Sequence, residues 1–196
     1  MVTFKSPKIL SKLLYIFLIL DIGTTFIPSS TMTSDAKTTL SLGNFFTVIA
    51  SIFPFVVYAL FIAWFFRVYH NLQALGVKGL QYSLKRAIIS FLIPGLNLFE
   101  PTKAMKELWK ASEPVANVSD GYLWKELKVP RGLGVWWFLA VVTRFHDVQF
   151  FGSGTENIAQ FWEIAVIPIA VLIANILTII VVRRIDSRQE KKKALS

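Results

Sequence analysis

Residues Ser83–Phe99 read SLKRAIISFLIPGLNLF, and how this stretch meets a membrane decides the fold. Its apolar part, Ala87–Phe99, is short for a helix that must cross about 30 Å of hydrocarbon. It carries Pro94-Gly95 in its middle. Proline removes a backbone donor and glycine loosens a helix, so a break is predicted there. Polar residues are dense on both sides: Trp64, Arg67, Asn71 and Gly76 before it, Glu100, Trp109 and Ser112 after it.

Outward from this stretch the chain is apolar. Of its 196 residues 54% are hydrophobic and only 17% charged, against about 25% charged in soluble domains. The class this predicts is an all-α integral membrane protein. Charge-poor runs predict four transmembrane helices, at 13–28, 45–66, 132–151 and 161–182. The clearest is Phe45–Phe66, which has no charge and would be about 33 Å long as a helix. Arg67–Leu75 is rich in helix formers and Gly76 suits a C′ cap, so this helix is expected to run about two turns further. Asp21 interrupts the first run and no small-residue cleavage site follows, which predicts an uncleaved span rather than a signal peptide.

Pro101 suits a first helical turn. Ala104, Met105, Leu108 and Trp109 recur at helical spacing, with Lys103, Lys106, Glu107 and Lys110 opposite. An amphipathic helix lying in the membrane interface is therefore predicted over 101–112.

Charge settles how these pieces are threaded. With a cytoplasmic N-terminus and 83–99 not crossing, every basic residue except Lys37 and Arg144 lies on the inside. If 83–99 crossed, the Lys103–Arg131 loop and the basic tail would move outside, against the positive-inside bias. Segment 83–99 is thus read as a cytoplasmic-side re-entrant or interfacial hairpin, with both termini cytoplasmic. The net charge of +9 then belongs to loops that touch anionic headgroups rather than to a nucleic-acid surface.

The residues just placed carry a resemblance. Trp64-x-x-Arg67, Asn71-Leu72-x-x-Leu75-Gly76, Tyr82-Ser83, Ile93-Pro94-x-x-Asn97-Leu98-x-x-Pro101 and Trp109-x-x-Ser112 resemble a bacterial membrane-protein family, the domain of unknown function 4328. The chain departs from it at Arg86, where the family often has tryptophan. The resemblance implies a multi-pass protein of the bacterial cytoplasmic membrane and brings no activity, cofactor or substrate with it.

Candidate chemistry is sparse. There are no cysteines, so thiolate metal sites and cysteine nucleophiles are excluded. His70 and His146 belong to no metal-spacing cluster, and the threading puts them on opposite sides, away from a shared haem. No cofactor or metal is expected. Trp64, Arg67, Asn71 and Ala74 share a stripe of the second helix, and Asn97 and Glu100 lie just past the break. One reading is a cytoplasmic-side polar pocket of Arg67, Asn71, Asn97 and Glu100, with Arg67 gripping an anionic headgroup. The other is that Arg67 snorkels and the two asparagines satisfy the broken backbone. Asp21 and Arg144 are intramembrane charges, read as an ion pair joining two helices. Trp109, Trp124, Trp136 and Trp137 read as interfacial anchors, and Lys191–Lys193 as a solvated, lipid-touching end.

The function expected from these features is that of a non-enzymatic scaffold or accessory subunit. It would bind membrane lipids, another membrane protein or a second copy of itself. An oligomeric transporter or channel component using the re-entrant segment is the alternative, and a lipid-headgroup enzyme a third reading.

Overall fold

The computed structural model describes residues 3–25, 42–93, 95–114, 123–143 and 166–195, with 42–51 as backbone alone. Among them there are six α-helices and no strands. They are α1 (Lys8–Thr25), α2 (Leu42–Ala74), α3 (Leu84–Leu92), α4 (Leu96–Ala111), α5 (Gly132–Val142) and α6 (Ile167–Leu195), with a 3-10 turn at Leu123–Glu126. Among the described residues two stretches are long and apolar enough to cross a membrane, Ile52–Ala74 of α2 and α6. Helix α1 packs on α2 and α6, α3 on α4, and α5 on α4 and α6.

Helix α2 continues two turns past Phe66, and its end is closed as its sequence predicts. Gly76 adopts φ 71°. Its N–H donates to Gln73 O at 3.2 Å, and the N–H of Val77 donates to Leu72 O at 3.0 Å. This pair of bonds is a Schellman cap, and the left-handed residue it needs is cheapest as glycine.

The break in the decisive stretch is also where proline and glycine put it. Helix α3 starts on Ser83, whose hydroxyl accepts from the N–H of Arg86, and it buries Ala87, Ser90 and Phe91. It ends at Leu92, and Gly95 turns the chain at φ 88°.

The next boundary differs from expectation. Helix α4 begins at Leu96, not Pro101, so Asn97–Phe99 belong to it rather than to the hairpin's first arm. Pro101 is an interior residue that cannot donate to the carbonyl four residues earlier. That carbonyl is Asn97 O, and it accepts Trp137 Nε1–H from α5 at 2.9 Å. A tertiary bond replaces the missing helical one, which lets the helix start a turn earlier.

Two further helices run beyond the apolar stretches expected to span. Helix α1 starts at Lys8, before residue 13, with Pro7 O accepting the N–H of Ser11 at 3.0 Å. Helix α6 runs through Val182 to Leu195, so the basic tail is helical. Residues 26–28, 144–151 and 161–165 of the expected spans lie outside the described residues.

The core is aromatic. Phe91 of α3 meets Phe65 of α2 at 4.8 Å and Trp137 of α5 at 5.3 Å between ring centroids, and Trp136 lies 5.7 Å from Trp137. Edge-on pairs of this kind are worth about 0.5–1.5 kcal/mol each beyond area burial. Trp109, Trp124, Trp136 and Trp137 are all buried. They are therefore core residues with bonded indoles or packed rings, not anchors facing lipid. Trp136 Nε1–H donates to Thr178 Oγ1 at 2.8 Å and Trp124 Nε1–H to Lys78 O at 2.9 Å.

Candidate functional site

Trp64 and Asn71 of α2 do not face the break. They face α6. Trp64, Val68 and Asn71 recur at i, i+4 and i+7, one side of a helix, and all three are fully buried. Opposite them, beyond the apolar run of α6 that ends at Val182, stand Ile185, Asp186, Gln189 and Lys192. Trp64 Nε1–H donates to Asp186 Oδ1 at 2.9 Å, and Ser11 of α1 donates to Asp186 Oδ2. Gln189 Nε2 donates to Val68 O at 2.8 Å and to Ser112 Oγ at 3.2 Å. Asn71 Nδ2 donates to Gln189 Oε1 at 3.3 Å.

Asn71 also clamps the N-terminal segment. Its Oδ1 accepts the N–H of Lys5 at 3.1 Å and its Nδ2 donates to Lys5 O at 2.9 Å. A primary amide is the side chain that matches a peptide group's donor and acceptor together. Ser6 donates to Glu190 at 2.8 Å, and Lys193 lies 4.8 Å above the ring of Phe4. The two ends of the chain are thereby tied to each other through α2.

The same segment of α6 closes the end of α4. Lys192, fully buried, donates Nζ–H to Ala111 O at 2.8 Å. Arg188 donates to Trp109 O at 3.3 Å, pairs with Glu113 at 3.0 Å and stacks 4.2 Å above the Trp109 ring. The last carbonyls of a helix lack internal partners and carry partial negative charge, so two cations fit there. Burial pushes the Lys192 ammonium down to about 8, with Glu113 opposing. Burial pushes the Asp186 carboxyl up, and the Ser11 and Trp64 donors oppose it.

The four residues read as a pocket take separate partners. Asn71 sits in the seam just described, where it satisfies the Lys5 backbone and not the break. Asn97 Nδ2 donates to Tyr58 Oη at 3.2 Å, and the Tyr58 hydroxyl donates to Phe91 O, the last turn of α3. Glu100 lies between Lys103 at 3.1 Å and Arg86 at 3.5 Å. Hydrogen bonds from Lys103 and then Tyr82 hold its carboxyl below the usual range. Arg67 is half-buried at the rim of an apolar groove. Asp21 is buried and accepts Asn175 Nδ2–H of α6 at 2.8 Å. Arg144, its expected partner, lies outside the described residues, as does His146; His70 stacks on Phe66.

No motif in the sequence marks Ser11, Asp186 or Gln189; Ser112 stands out only through the Trp109-x-x-Ser112 motif, and Lys192 only as part of an expected solvated tail. The available signal was spacing. Thr178, Val182, Ile185, Gln189 and Lys192 continue one helical stripe past the end of the apolar run, and all are buried. Glu107 was likewise assigned to the solvent side of α4. It is buried, its Oε1 accepts the N–H of Gln81 at 2.7 Å, and burial raises its pKa.

Chemically, the seam is a tether. Its donors and acceptors are spent on one another, and neither Ser11 nor Ser112 is hydrogen-bonded to a histidine among the described residues. No group of three or more His, Cys, Asp or Glu residues suited to a metal ion occurs among them.

No curated protein and no solved structure matches the chain. A family does, described as Domain of unknown function (DUF4328), over residues 29–187. That span holds Trp64, Asn71, the α3–α4 break, Ser112 and Asp186, and the chain belongs to this family.

Proposed function

We propose that this chain is a multi-pass protein of the bacterial cytoplasmic membrane with both termini cytoplasmic. In this reading four helices span, the α3–α4 hairpin stays on the cytoplasmic side, and the protein is a non-enzymatic scaffold or accessory subunit. It binds lipid or another membrane protein. The observation that carries this is the consumption of the polar residues by internal bonds. A transport path or catalytic pocket needs polar groups turned toward water. Here Asn71, Gln189, Ser112 and Lys192 bond to each other or to backbone, and Asp186 to the side chains of Ser11 and Trp64.

The test is native mass spectrometry of the full chain released from nanodiscs, beside solute and ion flux in proteoliposomes. Retained lipid, a second copy or a stable partner, with flux equal to empty vesicles, is the expected result. A bare monomer, or flux above background, overturns the reading. Threading is checked by single cysteines, which are unambiguous in a chain that has none. Lys37→Cys should react with an impermeant thiol reagent from outside, and Lys128→Cys, in the loop after the hairpin, only after permeabilisation. Reaction of position 128 from outside would mean that the hairpin crosses.

One observation favours the transport alternative. Asn97 Oδ1 is buried at the helix break without a hydrogen-bond partner among the described residues, the kind of group that coordinates a passing ion in interrupted helices. The flux measurement decides it.

A further inference from the structure

Arg67 stands apart from the seam. It closes one end of an open groove of about 560 Å³ whose floor is a stripe of α2, Ala59, Ile62 and Ala63, between walls formed by Leu10 of α1 and Ile88 of α3. Ala59 and Ala63 are exposed, and their small side chains sink the floor. Apart from the guanidinium the lining is apolar. Among the described residues Arg67 has no carboxylate partner. A half-buried cation at the end of an apolar channel is complementary to a molecule with one anionic end and one hydrocarbon end.

The dimensions agree with a lipid. Ala59 to Arg67 covers about 12 Å of helix, close to the depth of one leaflet's hydrocarbon, about half of 30 Å. Arg67 directly follows the charge-free run that ends at Phe66, which sets the guanidinium at headgroup level. Arginine also offers the forked donor geometry that phosphate accepts.

We infer that this groove binds one anionic phospholipid, its phosphate on Arg67 and one acyl chain along Ala63 and Ala59. The inference rests on the membrane-protein reading above and names the lipid and its seat.

The experiment is native mass spectrometry of the detergent-purified full chain, offered equal amounts of phosphatidylglycerol and phosphatidylcholine. One well-placed arginine is worth about 1 kcal/mol toward an anionic headgroup, so wild type should retain phosphatidylglycerol about fivefold over phosphatidylcholine. Arg67→Gln should bring that ratio to about one while still retaining lipid. Ala63→Trp should lose both lipids by filling the groove. Ala59→Leu, a smaller intrusion, should lower the retention of both without touching the core. Arg184→Gln, at an exposed cation elsewhere, should leave the ratio unchanged. Tryptophan fluorescence confirms folding of each variant. An unchanged ratio in Arg67→Gln, or undiminished lipid in both groove variants, overturns the inference. Wild type that holds a second copy or a partner but no lipid overturns this site alone. Wild type with none of these overturns the scaffold reading as well.

Discussion

Replacing Lys192 with methionine isolates the contact that docks the end of α6 on α4. Lys192 is fully buried and its ammonium donates to Ala111 O at 2.8 Å. Burial brings its pKa from 10.5 to about 8. At about 1.36 kcal/mol per unit, holding the charge inside costs about 3 kcal/mol relative to the unfolded chain. The folded pKa lies below the unfolded one, so between them the unfolded chain binds more protons. The contribution to stability is therefore present in full above pH 10.5 and is lost as pH falls through about 8. Methionine keeps most of the volume and abolishes the titration. It also leaves the Ala111 carbonyl without that partner, a penalty of about 1–3 kcal/mol that does not vary with pH. The readout is accordingly the difference between the two proteins. Equilibrium denaturation in mixed micelles, followed by tryptophan fluorescence from pH 7 to 11, should show wild type gaining about 3 kcal/mol on Lys192→Met as pH rises. Parallel pH dependences would refute the buried ammonium and return Lys192 to solvent.

Other perturbations address the remaining parts of the seam and its surroundings. Asn71→Ala removes three hydrogen bonds, two to Lys5 and one to Gln189. It should cost about 3 kcal/mol, at about 1 kcal/mol each, and expose the N-terminal segment to limited proteolysis; unchanged protection would count against the clamp. Glu107 has its pKa raised by burial, so its contribution is present below the ordinary carboxyl value of 4.5 and is lost as pH rises through the folded value. Glu107→Gln should therefore flatten the stability profile above pH 4.5 and match or exceed wild type at pH 7, as measured by chemical denaturation. Gly76→Ala meets no atom within 4 Å but must hold φ 71°. It should cost about 1–2 kcal/mol from backbone strain alone, and a melting temperature equal to wild type would argue against the Schellman cap.

What could be read from the sequence was local. The extension of α2 past Phe66 and its stop at Gly76 follow from propensity and from one residue that tolerates positive φ. The break between α3 and α4 follows from Pro94-Gly95. The start of α4 is not legible locally, because Pro101 looks like a first-turn residue and only the bond from Trp137 to Asn97 O makes it an interior one. That bond links residues on separate helices and leaves no local trace. The separation of the four polar residues is hidden for the same reason. Arg67 and Asn71 are four residues apart on one helix, yet one turns to an apolar groove and the other to α6. The charges of the tail concealed the remainder. Arg183 and Arg184 are exposed while Gln189 and Lys192 are buried, and composition averages the two faces together.

The seam also sets an order of events during synthesis. Trp64 and its partner Asp186 are 122 residues apart, and Val68 and Gln189 are 121. At about 5–20 residues per second, roughly 6–24 s pass between making one side and making the other. Through that interval the indole of Trp64 and the carbonyl of Val68 are already in place, and Asp186 and Gln189, which will accept from one and donate to the other, do not yet exist. Helices α1 to α5 must wait half-assembled, with this face of α2 still open. The arrival of Asp186–Lys192 is then the closing step, so a ribosome that stalls after Val182 would leave an unlatched bundle, a natural target for quality control.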